Sequence, residues 1–579
     1  MTPALVGSPV RSQPVAMRNR LYEDPALGCG NFLAKCHADN PLAGVDFMFL
    51  EEPIELSNGT ALSSLSLDSL FELTRHLASW YLTRDVNETD VVGVCVREGV
   101  PVFLHYLALT SIGAIPALIN PAMPAEVAAE YVRQNGIRRV QVDSTTRNSG
   151  LRGYLAADCL LDFPQAYPSF DAAPLPPRWP YEPEDSTIVM LCHTSGTTGL
   201  PKAVQFGHRQ FFIGKRSRLK HFSESDDDRM LSALPHSHSA GISYLMTATL
   251  LGIPTLVLSN LVGDGVRRQL LRFKPTIVTA FPQTYASLVA ANPTPDEYDF
   301  VRQWFCMADA AHEAHIRRIL VASPKSRLID AFGSNELGMA LLRRESTITD
   351  VARRRLIGRP VEFADAKILE EGTFKELPSG AIGLLAIRSP TITPGYWLRP
   401  DLTSVSWRNG YWLTGDVAVQ RNGEFFHLDR AVDVIQSAVG PLYTLLLEEE
   451  IQQIDGVCDV SIVGCVLGEQ SHESIVALVL PEQNGAGREQ IDPDRIRDAI
   501  TRSAQSGGKT LPPDAVCVAI APDYSSFPRG STGKVLKRTL RESFADIYRE
   551  FCESGKAPDG IVIVQPNAKI AELGGQVVH

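Results

Sequence analysis

The chain has 579 residues, of which 44% are hydrophobic and 21% charged, and this composition is typical of a globular protein with a substantial core. Its net charge of -11, without any Lys/Arg-rich block, argues against nucleic acid as a main partner. Ten cysteines are scattered without a CxxC pair or a His/Cys cluster, which argues against a disulfide framework and a zinc site and favours reduced thiols in the cytoplasm.

The first half of the chain alternates helical and strand patterns. Residues 1–45 read as an irregular lead-in without an apolar core of signal-peptide length. From about residue 64 to 300, amphipathic stretches such as DSLFELTRHLASWYL (68–82) alternate with β-branched runs such as VVGVCV (91–96). This alternation predicts a layered α/β domain with parallel strands. The most apolar runs contain Gly or Pro and are too short to span a bilayer, so we expect a cytoplasmic protein with no membrane partner.

The pattern changes twice further along the chain. From about residue 365, short strands separated by turn signals predict a small β-rich module that closes the large domain. After LDRAVDVIQ an α+β pattern resumes. We therefore predict an α/β protein with three parts: a large layered N-terminal domain with a small β-rich subdomain (1–428), a small mobile α+β C-terminal lid (429–550), and a loosely ordered tail (551–579).

The stretch HTSGTTGLPK (193–202) has the composition of an anion-binding loop. It follows the apolar strand pattern STIVMLC, so it lies at a strand exit, where ligands collect in α/β folds. Small residues leave the backbone N–H groups open to a phosphate, and Lys202 adds a positive charge. The P-loop pattern does not fit, because Ala203 follows Lys202. An ordinary Ser/Thr/Gly turn remains the alternative from this stretch alone.

Five further blocks follow in order and carry a family resemblance. They are LPHSHSAG (234–241), DAFGSNELG (330–338), PGYW (394–397), GYWLTGDVAV (410–419) and FPRGSTGKVLKR (527–538). Together with the glycine-rich loop they resemble the signature of the adenylate-forming superfamily, which holds acyl-CoA synthetases, firefly-type luciferases and the adenylation domains of peptide synthetases. The resemblance covers about residues 60 to 545, with Phe332 and Asn335 standing where the family usually has Tyr and Thr.

The resemblance implies ATP and Mg²⁺ as cofactors and assigns roles to particular residues. The family joins a carboxylate to the α-phosphate of ATP and releases pyrophosphate, so the chemistry is mainly the stabilisation of developing charge. Glu336 would bind Mg²⁺, Asp416 and Arg430 would hold the ribose, and Lys534 would reach the α-phosphate when the lid closes. The remaining nucleotide-binding residues implied are Thr194, Ser195, Gly196, Thr197, Thr198, Gly199, Lys202, Gly333, Ser334 and Asn335.

The acid pocket is less defined by the sequence. The resemblance places His238 beside the carboxylate as a catalytic-site residue, although a core histidine is the alternative there. His236 is a further candidate for the pocket wall. Asp309, in CMADAAHEAH (306–315), is unusual beside a carboxylate and would suit an amine or hydroxyl on the substrate.

The hinge departs from the family pattern, which reads approximately GRxxDxIKxxGxxIxPxEIE. Val432 stands at the usual hinge acid, Gln436 at the lysine and Val439 at the glycine, with Thr444 at the proline and Leu446 at the first glutamate. In relatives that use CoA this glycine loop lines the thiol tunnel, and a β-branched residue there hinders close backbone approach. Gly440, one residue away, would serve if the loop shifts.

The leading hypothesis is therefore an adenylating ligase that activates a small organic acid and transfers it to CoA or another nucleophile. A simple amine and a carrier-protein thiol stay open as acceptors. One alternative keeps the nucleotide site but adenylates another anion, such as nitrite, for the diazotisation of an aryl amine. A non-catalytic nucleotide-binding protein is the second alternative, and the presence of Lys534, Glu336 and Asp416 argues against it.

Overall fold

The computed structural model describes most of the chain. The described residues are 11–143, 147–162, 166–167, 174–194, 200–221, 227–308, 311–351, 354–467, 472–484, 487–488, 491–513, 515–530, 534–554 and 561–564. Ser195, Gly196, Thr197, Thr198, Gly199 and Asp309, all singled out above, lie outside this part.

Helices cover the faces of the sheets. They are α1 (Val15–Glu23), α2 (Phe32–His37), α3 (Leu67–Leu82), α4 (Val100–Ser111), α5 (Ala125–Gln134), α6 (His208–His221), α7 (Ser239–Leu251), α8 (Asp264–Phe273), α9 (Pro282–Ala290), α10 (Glu313–Ala322), α11 (Pro400–Ser406), α12 (Thr444–Ile451), α13 (Pro493–Ser506) and α14 (Lys537–Ser554). Helix α3 shows why these segments fold locally. Ser66 and Ser69 form a reciprocal capping box at its start, and Leu70, Leu73 and Leu77 follow at helical spacing into the core.

The strands of the large domain come first in the chain. They are β1 (Asp46–Glu55), β2 (Ala61–Ser66), β3 (Val91–Cys95), β4 (Ile115–Leu118), β5 (Arg139–Val142), β6 (Leu160–Asp162), β7 (Ile188–His193), β8 (Ala203–Gly207), β9 (Met230–Ala233), β10 (Thr255–Val257), β11 (Ile277–Ala280), β12 (Gln303–Met307), β13 (Arg327–Gly333), β14 (Ala340–Ser346), β15 (Leu356–Pro360), β16 (Asp365–Leu369), β17 (Ile382–Arg388), β18 (Trp407–Arg408), β19 (Tyr411–Arg421) and β20 (Glu424–Arg430). Those of the lid are β21 (Ile435–Ser437), β22 (Gly440–Leu442), β23 (Val457–Cys465), β24 (Ser474–Pro481), β25 (Gln483–Asn484), β26 (Gly487–Arg488), β27 (Val516–Ile520) and β28 (Val562–Val564).

Two sheets build the large domain, as the alternating pattern predicts. The first has the order β6-β5-β3-β4-β7-β8, with parallel pairing from β6 to β7 and antiparallel pairing of β7 with β8. In the second, β1, β10, β9, β11, β12 and β13 pair in parallel, and β14 then turns antiparallel. The strands of the β-rich module continue this sheet through the pairing of β15 with β14 and β20, so the module is an extension of the second sheet. The α/β fold class is confirmed.

The lid has a sheet of its own with the order β23-β24-β27-β28 and an apolar core distinct from those of the large domain. It reaches beyond the predicted end at residue 550, because α14 continues to Ser554 and Val562–Val564 pairs with β27.

The lead-in also differs from the expectation of irregular structure. Helices α1 and α2 lie there, and Leu21, Phe32 and Cys36 are fully or almost fully buried in the main core. Both helices are too short to show a helical period in the sequence.

Candidate active site

Ten of the residues predicted from the sequence to bind nucleotide, metal or acid line a single cavity of about 950 Å³ between the two large sheets and the lid. They are Thr194, Lys202, His238, Gly333, Ser334, Asn335, Glu336, Asp416, Arg430 and Lys534. Several of them follow the carboxyl ends of parallel strands: Thr194 follows β7, His238 follows β9, and Ser334 follows β13. The strand order therefore brings residues that are far apart in the sequence to one cleft, as is usual for ligand sites in α/β folds.

The ends of the glycine-rich loop are tied together. The backbone N–H of Thr194 donates to the carbonyl of Lys202 over 2.9 Å, and the N–H of Lys202 donates to Oγ1 of Thr194 over 3.1 Å. These two bonds join Thr194 to Lys202, and both residues line the cavity. The small residues between them in the sequence suit an anion-binding nest.

Glu336 is held by a tyrosine that the sequence analysis did not single out. Tyr396, from the PGYW block, donates its hydroxyl to Oε1 of Glu336 over 3.0 Å. The same ring lies 5.0 Å from Nζ of Lys202, measured to the ring centroid. Tyr396 thus orients the carboxylate while its ring packs beside the ammonium group of Lys202.

This donor set suits a magnesium ion only in the presence of phosphate. Within the described residues no group of three or more His, Cys, Asp or Glu side chains could hold a metal alone. Mg²⁺ commonly takes one or two carboxylates and completes its shell with phosphate oxygens and water. A single half-buried carboxylate at Glu336, beside Thr194 and Lys202, fits that pattern.

Asn335 and Gly333 have a structural task in addition to lining the cavity. The Asn335 amide donates to the carbonyl of His193 over 2.9 Å, and its oxygen accepts from Ser239 Oγ over 2.6 Å. The side chain therefore joins the end of β7 to the start of α7. A Cβ on Gly333 would approach the backbone oxygen of Met339 to 2.6 Å, so only glycine permits this close passage of β14.

Asp416 is a buried carboxylate with an arginine and a histidine beside it. Its Oδ1 lies 3.3 Å from Nε of Arg430 and 3.3 Å from Nε2 of His427. Burial alone would raise the pKa of Asp416, but Arg430, His427 and the hydroxyl of Thr414 outweigh it and lower the pKa to about 2. The group is therefore ionised throughout the neutral range and can accept hydrogen bonds from a vicinal diol.

Lys534 reaches the cavity from the lid. Its loop is closed by backbone bonds from Gly530 N–H to the Lys534 carbonyl (2.8 Å) and from Leu536 N–H to the Pro528 carbonyl (2.7 Å). Lys534 lines the main cavity and also a smaller one of about 130 Å³ between the two domains. The lid is therefore docked in the orientation that brings Lys534 to the same space as Glu336 and Asp416.

A buried glutamate of the lid fastens this orientation. Glu449, on α12, accepts from the N–H of Glu313 over 2.8 Å and lies 3.4 Å from Nδ1 of His312, at the N-terminus of α10. It also lies 3.8 Å from Nη1 of Arg355. Burial alone would raise the pKa of Glu449, but His312 and then Arg355 outweigh it and lower the pKa to about 2. The helix N-terminus favours the same charge.

His238 lines the cavity as a neutral donor. Burial, followed by the proximity of His193, lowers the pKa of His238 to about 3. Its Nδ1 accepts from the N–H of Ala240 over 3.2 Å, so the ring proton lies on Nε2. This histidine can donate a hydrogen bond to an anion, but it is a poor base near neutral pH.

The interpretation of His236 as a pocket wall is wrong. Its side chain is fully buried, contacts Ser232 Oγ at 3.1 Å and does not line the main cavity. Its backbone N–H donates to Glu98 over 2.7 Å, as the N–H of Ser237 does over 3.1 Å. Glu98 thereby fixes the turn that presents His238, a role that the sequence did not reveal because Glu98 lies far from this block.

The hinge loop of the lid forms a hairpin between β21 and β22. Gly440 takes the positive φ of this turn, at 94°, whereas Val439 has no positive φ and packs against the lid core. Val432 remains on the surface and borders the main cavity. The positive φ that the family pattern would place at residue 439 is thus adopted by Gly440, and the backbone of Val439 is not strained in this state.

No helix in the part of the chain that the structure describes is long and apolar enough to cross a membrane.

Comparisons with known proteins show the family of the chain. The model of a family described as AMP-binding enzyme matches residues 56–397. A 3-aminoavenalumate diazotase from Streptomyces sp is 31% identical over 571 aligned residues, which cover 91% of this chain and 98% of that protein. A 3-hydroxybenzoate–CoA ligase from Aromatoleum sp. (strain CIB) is 25% identical, over 63% of this chain and 67% of that ligase.

A solved structure shares the fold. The O-succinylbenzoate coenzyme A synthetase MenE of Bacillus subtilis, in complex with ATP and magnesium, superposes with a TM-score of 0.73. It is 18% identical and covers 88% of this chain and 99% of its own. At this identity the likeness concerns the fold alone.

Proposed function

This chain belongs to the AMP-binding enzyme family and is an adenylate-forming ligase, and from that premise we propose that it is a diazotase. It would join nitrite to the AMP portion of ATP and pass the nitroso group to an aromatic amine, which becomes a diazonium ion. Magnesium, the residues assigned above to ATP, and the division into a large domain and a lid are parts of this proposal.

One observation carries the choice of reaction. The likeness to 3-aminoavenalumate diazotase spans 91% of this chain, which is more than the 428 residues predicted for the large domain, so it includes lid residues. The match to 3-hydroxybenzoate–CoA ligase covers 63% of this chain. In this family the lid supplies surfaces for the second half-reaction, so likeness there bears on the identity of the acceptor.

The first step needs only charge stabilisation at phosphorus. A nitrite oxygen would attack the α-phosphorus, the bond from that phosphorus to the pyrophosphate oxygen would break, and nitrosyl-AMP and pyrophosphate would form. Lys534 lies on the cavity wall where it can stabilise the charge that develops on the α-phosphate, and Glu336 would hold the Mg²⁺ that neutralises the leaving pyrophosphate. His238, as a neutral Nε2–H donor, would orient the nitrite oxygens.

The second step would be an attack of the amine nitrogen on the nitroso nitrogen. The bond between that nitrogen and the AMP oxygen breaks, AMP leaves, and the amine nitrogen loses a proton. The resulting nitrosamine then takes up a proton and loses water to give the diazonium ion. The net change consumes one ATP, one nitrite and one amine, releases AMP, pyrophosphate and water, and needs no external oxidant or reductant. An aryl amine needs no long tunnel, which agrees with a hinge hairpin that has Gln436 and Val439 where CoA-using relatives have lysine and glycine.

A carboxylic acid–CoA ligase is the second candidate. The displaced turn glycine favours it, because Gly440 relieves Val439 of the positive φ and leaves the hairpin unstrained. The same nucleotide site would then activate an aromatic carboxylate, and CoA, a simple amine or a carrier-protein thiol would accept it.

The test is product formation from ATP, Mg²⁺, nitrite and an aromatic amine such as 3-aminocinnamate. We expect AMP and pyrophosphate to form only when nitrite is present, and an azo dye to form when a coupling agent traps the diazonium ion. With ¹⁵N-nitrite, the terminal diazo nitrogen should carry the label. If CoA is added in place of nitrite, and ATP is consumed at the same rate with formation of a thioester, the result would contradict the proposal and support the ligase.

A further inference from the structure

Part of the wall of the main cavity, here called the groove, comes from helices α6 and α7, which pack against each other. Helix α6 contributes Gly214, Ser217 and Arg218, which share a face because they are three and four residues apart. Helix α7 contributes Ser243 and Tyr244 to the opposite side. Phe305, whose ring lies 6.1 Å from that of Tyr244, and Met307 and Met339 add apolar surface to the same cavity.

The guanidinium of Arg218 has a fixed orientation in this groove. Its Nη1 donates to Oγ1 of Thr247 over 3.0 Å, and its Cζ lies 4.9 Å from the ring centroid of Tyr244. The Thr247 hydroxyl in turn donates to the carbonyl of Ser243 over 2.8 Å, so its lone pairs face the arginine. An arginine held in this way, on the cavity wall, has less side-chain freedom left to lose when it binds a ligand.

The distance to the nucleotide end suits one aromatic ring with a short arm. Thr247 lies eight residues after Ser239 on the same helix, which corresponds to about 12 Å along the axis. Ser239 follows His238 directly and bonds to Asn335 beside the nucleotide residues. A planar substrate in this groove would therefore have its reacting group near His238 and its other end near Arg218.

We propose that Arg218 binds the carboxylate of the amine substrate and selects aromatic amines that bear an acid group at the far end from the amine. The inference rests on the proposed diazotisation, because in that reaction the substrate carboxylate is not consumed and is available for a salt bridge. Guanidinium and carboxylate form paired, charge-assisted hydrogen bonds, which a neutral amide cannot replace. The apolar surface of Phe305, Met307 and Met339 suits the ring.

The experiment measures binding, so it does not depend on turnover. The full-length protein, with Mg²⁺ and a non-hydrolysable ATP analogue, is titrated with 3-aminocinnamate and with 3-aminocinnamamide, which has almost the same shape without the charge. We expect the acid to bind the wild-type protein about 10 to 100 times more tightly than the amide, the range for a hydrogen bond to a charged group. Arg218→Met should remove this preference and leave the affinity for the amide almost unchanged.

Two variants complete the design. Arg218→Lys keeps the charge and should restore part of the preference for the acid. Arg209→Met is the matched control, because Arg209 is a surface arginine on the same helix with a side chain 66% exposed, and it should keep the full preference.

The outcomes separate the two proposals. If Arg218→Met still prefers the acid, or if it weakens both ligands equally, Arg218 has no role in carboxylate recognition. Pyrophosphate exchange that depends on nitrite needs no amine, so it tests the diazotase function independently. Exchange driven by 3-aminocinnamate without nitrite would instead overturn the diazotase function, because the carboxylate would then be the adenylated group.

Discussion

Oδ1 of Asp416 lies 3.3 Å from Nε of Arg430, the last residue of the large second sheet before the chain enters the lid. The pair thus links a carboxylate at the wall of the cavity to the residue from which the lid departs. Because the pKa of Asp416 is lowered to about 2, this link is ionised at every pH at which the enzyme would work. We therefore expect Asp416 to carry the same negative charge during ATP binding throughout this pH range.

Asp416→Asn should weaken ATP binding. The amide can accept fewer hydrogen bonds from the ribose than the carboxylate and leaves Arg430 without its counter-ion, so we expect the KM for ATP to rise about tenfold or more. Steady-state pyrophosphate release at varied ATP measures the effect. Asp365→Asn, which changes a partly exposed carboxylate on β16 paired with Arg388 at 2.9 Å, is the matched control and should behave as wild type. An unchanged KM in Asp416→Asn would remove this residue from nucleotide binding.

Lys534→Ala should slow adenylation about 10²- to 10³-fold, the usual loss when one electrostatic stabiliser is removed. The KM for ATP should change much less, because the proposed role of the lysine is to stabilise the transition state when the lid is docked. Single-turnover formation of the adenylate measures the step directly. Arg538→Ala removes an exposed cation four residues away and should have little effect. Equal rates for Lys534→Ala and wild type would exclude the assigned role.

Glu336→Gln should raise the Mg²⁺ concentration required for half-maximal activity, since an amide oxygen binds a hard cation less well than a carboxylate. Tyr396→Phe should shift the requirement in the same direction by a smaller factor, because only the 3.0 Å hydrogen bond that orients Glu336 is lost. Titrations of Mg²⁺ at saturating ATP compare the three proteins. Coinciding curves for Glu336→Gln and wild type would show that another group holds the ion.

Docking of the lid should weaken as the pH rises. In the docked state burial lowers the pKa of His312, but Glu449, Glu448 and Asp459 outweigh it, so the net pKa is raised above 6.5. His315 lies on the same helix with its ring 5.9 Å away. A raised pKa means that docking of the lid is coupled to the uptake of a proton by His312. The stabilisation of the docked state by this proton is complete below a pH of about 6.5 and is lost as the pH rises past the raised pKa.

The measurement is the pH profile of the adenylation rate in wild type and in His312→Gln, which cannot titrate. Wild type should lose rate several-fold across the alkaline limb, and His312→Gln should be flat there. Glu449→Gln, which keeps the shape of the lid anchor but not its charge, should also flatten the profile. If His312→Gln loses as much adenylation rate at alkaline pH as wild type does, a different group titrates.

The sequence predicted the parallel, layered core and much of the cavity wall for a physical reason. Motif residues such as Thr194 and Glu336 lie just after buried strands, and parallel strands bring their carboxyl ends to one edge of a sheet. Arg218 could not be found in this way. It lies in KRSRLKH beside Arg216 and Lys220, and only the packing of α6 against α7 determines which cation faces the cavity. Glu449 is likewise one of three consecutive glutamates in the sequence, and only its contact with the large domain in the docked lid distinguishes it from the other two.

The spacing of apolar residues also failed to predict elements that are stabilised by contacts with distant parts of the chain. Helices α1 and α2 are stabilised by burial against α6 and α3, partners that lie far along the chain. Strand β28 exists because an edge of the lid sheet is available to pair with it. Local sequence patterns do not reveal such partners, so the sequence predicts an irregular lead-in and a loosely ordered tail.

The most direct test of the account is ATP–pyrophosphate exchange with the full-length protein, Mg²⁺ and a single added anion, in the absence of any amine acceptor. Nitrite should support exchange that saturates with its concentration and is lost in Lys534→Ala. Benzoate, cinnamate and 3-aminocinnamate should not support exchange. Exchange driven by an aromatic carboxylate and not by nitrite would contradict the diazotase proposal and identify the chain as a carboxylic acid–activating ligase.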